Sequence, residues 1–176
     1  MKLKMKKQWN GSARPAPLLR FIAGVLLLLL VAALSPVWPA LEISGPEQSF
    51  YLPLKDGENF SIKYTHSVNR SPVIDTIERT GSQLTVRTSL FLTYGAGIPV
   101  LSDGVGDTYT ETEDGFLLSG IDSAHDTIDL ITGTYADHRL IYRQHEFVLK
   151  ETFGEKTHIC FRACRVSLPK LLLYRL

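Results

Sequence analysis

Gln83-Leu84-Thr85-Val86-Arg87-Thr88-Ser89-Leu90-Phe91-Leu92-Thr93-Tyr94 is the stretch on which the fold turns. Leu84, Val86, Thr88, Leu90, Leu92 and Tyr94 recur at every second position, the period of an extended strand. Gly81-Ser82 just before it supplies a turn, so Val73–Thr80 and Gln83–Tyr94 read as a hairpin. Upstream, Phe60, Ile62, Tyr64, His66 and Val68 share one face of a second strand, with Ser61, Lys63, Thr65 and Ser67 on the other. Downstream, Asp114-Gly115 signals a hairpin between Thr108–Glu113 and Phe116–Ile121. Thr127–Ile131, Leu140–Tyr142, Glu146–Lys150 and His158–Val166 are further strands, and Asp122–Asp129 has room for one helical turn. About 8–9 short strands with frequent turn residues predict an all-β fold, an antiparallel sandwich or small barrel.

Ahead of this body lies a different pattern. Phe21–Leu34 has no polar side chain, and the apolar run continues through Ser35-Pro36 to Trp38. That length reaches the lower end of the ~17–25 residues that cross a bilayer. Lys2, Lys4, Lys6, Lys7, Arg14 and Arg20 all lie on its N-terminal side, which predicts a cytoplasmic N-terminus. A cleaved signal peptide fits the same pattern, with Ala33 and Ser35 as the small residues before the cut. Pro36 after them disfavours cleavage, so an uncleaved anchor is the leading expectation. Both readings place residues 41–176 outside the cytoplasm. The predicted organisation is a basic cytoplasmic segment at 1–17, an anchor or signal at 18–38 and a linker at 39–49. A β domain at 50–168 and a tail at 169–176 complete it.

The formal net charge of +1 hides a segregation of charge. Residues 41–137 carry five basic and fifteen acidic side chains, and residues 138–176 carry eight basic and three acidic. A nucleic-acid protein places positive charge on its folded body, so this distribution argues against a DNA or RNA partner. Acidic and basic patches instead suit a polarised protein contact.

His66 falls on the apolar side of its strand and is the leading candidate for a ligand-binding or general-base group, with a hydrogen-bonded core histidine as the bland reading. Ser67 points the other way, and no Gly-x-Ser-x-Gly elbow occurs, so a serine hydrolase is not indicated. Gly95 and Gly97 flank Ala96 where the longest strand ends, allowing either a close approach to a ligand or a barrel corner. Asp75 and Glu78 stand three residues apart, on opposite faces, and are expected at a rim or strand exterior. With His138 these residues make the candidate binding set: His66, Ser67, Asp75, Gly95, Gly97 and His138. No metal or cofactor is expected, since no histidine pair or acidic loop has ligand spacing. Cys160 and Cys164 suggest a disulfide by their even number in an exported chain. On a straight strand, however, they stand ~13 Å apart, beyond the ~7 Å a bridge spans.

Tyr64-x-His66-Ser67-Val68, Pro72-Val73 with Asp75 and Glu78, Tyr94-Gly95-Ala96-Gly97-Ile98-Pro99 and Asp137-His138-x-Leu140 together resemble the family called domain of unknown function 1850. Ile74 stands where that family often has an acid, and Asp137 where it often has asparagine. The resemblance implies a small bacterial protein encoded beside TAXI-class permeases of TRAP-type solute transporters. The expected role is an inner-membrane-anchored accessory or binding module, its partner a TRAP permease or that transporter's binding protein. A periplasmic hydrolase or isomerase using His66 as base, or a purely structural β module, are the alternatives.

Overall fold

A computed structural model describes residues 17–92, 106–174 and 176. In chain order the elements are α1 (Pro17–Leu34), β1 (Trp38–Ser44), β2 (Ser49–Pro53), β3 (Asn59–Thr65), β4 (Pro72–Thr80) and β5 (Gln83–Phe91). They continue with β6 (Thr108–Thr112), β7 (Gly115–His125), β8 (Thr127–Ile131), β9 (Arg139–Tyr142) and β10 (His145–Val148). The short helix α2 (Leu149–Phe153), β11 (His158–Val166) and the short helix α3 (Leu168–Leu173) complete the chain.

The strands form two antiparallel sheets and no closed barrel. The small sheet runs β2-β1-β11-β8, the large one β10-β9-β3-β4-β5-β7-β6. β7 belongs to the large sheet and β8 to the small one, so the chain changes layer across Asp126. Asp122–Asp129 is therefore strand and corner, without the helical turn that its mixed composition allowed.

Alternation explains which faces meet. Leu41, Ile43, Leu52, Ile159 and Phe161 of the small sheet are buried against Phe60, Ile62, Ile77, Leu84 and Leu140 of the large one. At the centre the rings of Phe60 and Phe161 stack with centroids 5.9 Å apart. A smaller cluster of Val73, Phe91 and Leu118 sits at one end, and Tyr64 packs against both clusters.

Several expectations are corrected. The segment expected as a linker, 39–49, contains most of β1, an interior strand paired with both β2 and β11. Its Trp38-Pro39 start hid it, because proline interrupts the usual strand signature. The expected tail forms α3, whose Leu171 is buried with Ala40, Tyr51 and Val166 on the outer face of the small sheet. The strand expected over Glu146–Lys150 ends at Val148 and passes directly into α2.

The period-two reading of Gln83–Tyr94 as one continuous face also fails. Val86 pairs with Ile77 and Thr88 with Thr76, which leaves Arg87 as an extra residue in β5. A bulge of this kind reverses the phase of alternation. Leu84 faces the core before it, but Ser89 and Phe91 are the buried residues after it. Arg87 itself pairs with Glu78 at 3.0 Å and with Asp122. These ion pairs lie outside the sheet and hold the bulge open toward solvent.

β11 is unbroken, and Cys160 and Cys164 are both free thiols on its outer face. The possible disulfide is thus overturned: nothing turns the chain at Arg162-Ala163. Burial pushes both thiols above their ordinary pKa, which lowers their reactivity. Protein purified without reductant is expected to titrate two thiols once unfolded. A Cys160–Cys164 bridge found by peptide mass spectrometry would contradict the register of β11.

α1 is long and apolar enough to cross a membrane, and none of it is buried against the rest of the protein.

Candidate functional site

β3, β4 and β5 bring three polar side chains to the inner face of the large sheet. Asp75 lies opposite Ile62 on one side and opposite Ser89 on the other. Since Ile62 faces the core, so does Asp75, correcting the expectation of a rim or exterior position. Glu78 does point outward, to Arg87. Ser89 Oγ donates to Asp75 Oδ1 at 2.6 Å, and the Tyr64 hydroxyl is hydrogen-bonded to the same carboxyl. The bulge at Arg87 makes this possible, because without the extra residue Thr88 would face Asp75.

His138 precedes β9 and completes the cluster. Its ring lies 5.7 Å from that of Tyr64, centroid to centroid. Its Nδ1 is buried without a hydrogen-bond partner among the described residues. Asp137 holds this histidine from the preceding position, with φ of 44°, a left-handed conformation that Asp and Asn tolerate best. The Asp137 carboxylate accepts from Lys150 at 2.8 Å and from Arg139 at 2.5 Å, and both cations hold it below the usual carboxylate range. Lys63, Tyr64, Thr65, Pro72, Asp137 and Arg139 line a recess beside this end of the sheet.

The electrostatics of the cluster oppose charge. Burial raises the Asp75 carboxyl above its ordinary pKa, although the hydrogen bonds from Ser89 and Tyr64 act in the opposite sense. Burial raises the Tyr64 phenol as well, with the Asp75 charge adding to the effect. Burial also lowers His138, so its imidazole stays neutral to lower pH than a free histidine. The neutral state of the set therefore offers hydroxyl, carboxylic acid and imidazole groups, suited to hydrogen bonding with a small polar molecule.

A raised carboxyl in the folded state has a definite consequence for stability. The native protein holds the Asp75 proton to higher pH than the unfolded chain, whose value is near the ordinary 3.8. The resulting contribution is complete below that value and is lost as pH rises through the native value. At neutral pH the ionised form is a destabilising element. Asp75→Asn is thus expected to melt at the same temperature as the native protein or a few degrees higher at neutral pH. The difference should shrink toward about pH 4. Thermal unfolding across a pH series checks this, and a clear loss of stability at neutral pH would contradict it.

The other candidate residues are placed differently. β3 ends at Thr65, so His66 does not continue its apolar face. The His66 N–H donates to the Ser71 carbonyl and the Arg70 N–H to the His66 carbonyl, closing a tight turn into β4. His66 Nδ1 accepts from the Asn69 N–H at 3.4 Å, and Ser67 and Val68 are exposed on the turn. Gly95 and Gly97 lie outside the described residues. Of the candidate set, the structure brings together Asp75 and His138. Tyr64 and Ser89 join them without having been singled out, and Tyr64 was visible only as part of a quoted string. Among the described residues no three His, Cys, Asp or Glu side chains come together as a metal cage would require.

No curated protein and no solved structure matches the chain. A family model does, over residues 60–149, which span β3 to β10 and so contain Tyr64, Asp75, Ser89 and His138. β1, β2, β11 and α3, which build most of the small sheet and its outer cover, lie beyond the match. The match covers just over half of the sequence, and the chain belongs to that family, described as a domain of unknown function, DUF1850.

Proposed function

We propose that this chain is a membrane-anchored binding module working on the periplasmic side of the bacterial inner membrane, as an accessory to a TRAP-type solute transporter. Its site is the Tyr64–Asp75–Ser89–His138 cluster, and its ligand class is a small carboxylate. The observation that carries the reading is Asp75, a carboxyl on the inner face of a sheet whose burial opposes its ionisation. Groups held against their own preference mark sites more often than they serve stability. In its protonated form Asp75 donates a hydrogen bond to a ligand carboxylate, and Tyr64 and His138 supply the neighbouring polar groups.

The anchor supports the location. Apolar side chains along all of α1 are exposed, and an 18-residue apolar helix finds its cover in lipid. Basic residues precede it in the sequence and only apolar or small ones line its C-terminal end, which favours the β body outside the cytoplasm. The cluster lies toward the start of β4, whereas Arg79 near its end contacts the carbonyl of Ala40, two residues past Trp38. At ~3.3 Å per residue, Asp75 stands ~13 Å farther along β4 than the end nearest the anchor. On this reading the cluster lies farther from the membrane than the anchored end of β4.

Tagged full-length protein, solubilised with its membranes in a mild detergent and captured, tests the accessory role. Mass spectrometry is expected to find a TRAP permease or its periplasmic binding protein in the eluate. Recovery of the intact anchored protein alone, from cells expressing that transporter, would contradict it.

A further inference from the structure

We infer that α3 is an interfacial element, lying on the outer surface of the bilayer beside the anchor with Leu172, Leu173 and Tyr174 at the headgroup–acyl boundary. This rests on the reading of α1 as a membrane anchor.

Three residues, 35–37, separate the end of α1 from the start of β1. They are tied rather than loose. Ser35 donates through both its backbone N–H and its hydroxyl to the Val31 carbonyl, and the Val37 N–H donates to the Ser35 carbonyl. From β11, Arg165 Nη1 reaches the Val37 carbonyl at 3.2 Å. The β body is therefore held close to the point where α1 would leave the lipid.

α3 sits at that point, in contact with α1, β1 and β2. Leu171 anchors it from beneath, buried with Ala40, Tyr51 and Val166, and the Tyr51 N–H donates to the Tyr174 carbonyl at 2.8 Å. The next three residues turn outward. Leu172, Leu173 and Tyr174 are 63%, 78% and 55% exposed. Single exposed leucines need no explanation, but three successive exposed apolar residues on and just after a helix that contacts α1 form a patch beside the anchor. Tyrosine and tryptophan favour the boundary between water and lipid, and Trp38 lies at the same level of the chain as the α1 exit. Lys170 rests over the Tyr51 ring at 4.4 Å, and with Arg165 it puts positive charge where anionic headgroups lie. The occupant of this face is thus a lipid surface.

Leu173→Trp in full-length protein whose Trp9 and Trp38 are replaced by phenylalanine places a single indole on the patch. The protein is reconstituted in phosphatidylcholine–phosphatidylglycerol vesicles, some carrying brominated acyl chains, and insertion is verified by flotation after a carbonate wash. Fluorescence is expected to be blue-shifted and roughly halved by bromines placed near the headgroups. Tyr174→Trp in the same background repeats the measurement should Leu173→Trp disturb the fold. Protein that floats with an unquenched indole overturns the assignment of α3 alone. A solvent-like emission then means an open patch, and a blue-shifted one means cover by another protein or a second copy. Protein washed off the vesicles overturns the anchor reading and this inference together.

Discussion

Arg79→Leu is expected to destabilise the protein by about 3 kcal/mol or more, lowering its melting temperature by roughly 10 °C. Arg79 lies on β4, is only 4% exposed and forms an ion pair with no carboxylate among the described residues. Its Nη1 lies 3.1 Å from the Ala40 carbonyl and 3.0 Å from those of Leu54 and Cys164, while Nε donates to Gly81. One side chain thus joins the large sheet to β1, to the segment after β2 and to β11. Burial pulls the guanidinium below its usual pKa, with Cys164 and Asp56 pulling the other way, yet arginine keeps its proton in proteins. Leucine restores volume but leaves those carbonyls without their donor, and each buried acceptor so orphaned costs about 1–3 kcal/mol. Arg79→Lys, with one ammonium for the same acceptors, should fall between. Thermal melts in detergent measure both, and a leucine variant as stable as the native protein would show that water replaces the guanidinium freely.

Phe161→Ala should cost about 3–5 kcal/mol, enough to unfold a domain of ordinary stability at moderate temperature. Phe161 is fully buried in β11 and stacks on Phe60 of β3, so its ring is where the two layers meet. Close-packed sheets cannot collapse around a lost ring without moving backbone, and the cavity remains as a cost beyond the lost burial. Phe161→Leu retains most of the volume and should lose much less. Denaturant titration distinguishes the two, and equal midpoints for alanine and leucine would mean the sheets do not depend on this contact.

Most strands were legible because an antiparallel sandwich with one wet face writes its burial into the sequence at period two. Where that period was broken, the reading broke with it. The Gly81-Ser82 turn pairs Thr80 with Gln83, and counting outward sets Thr88 against Asp75. One inserted residue at Arg87 moves Ser89 there instead, and no local propensity announces the insertion. Ser89 was hidden for that reason, and Asp75 was placed outside because an acid on an apolar face is unexpected. His66 failed for a different cause: side-chain alternation continues through Val68, but the Arg70 residue at φ 52° closes a turn that ends β3 three residues sooner. β1 was missed because it opens on Trp38-Pro39 and its next outward residue, Ala40, is apolar and covered by α3, which leaves only the four residues Leu41–Ser44 in alternation. Asp75 and His138 were found, and Tyr64 and Ser89 between them required the sheet register.

The most direct test of the binding site is carboxylate-induced thermal stabilisation of the native protein and of Asp75→Asn, measured at about pH 5 and about pH 7.5. Over that range a small carboxylate stays ionised; burial favours the neutral form of both Asp75 and His138, so the comparison with Asp75→Asn isolates the Asp75 proton. Native protein should be stabilised more strongly at the lower pH, where more of Asp75 is protonated and able to donate a hydrogen bond to the ligand carboxylate. Asp75→Asn, a permanent donor of similar shape, should respond equally at both. Stabilisation of the native protein that is absent, or that is unchanged in Asp75→Leu, would contradict the assignment of this cluster as the site.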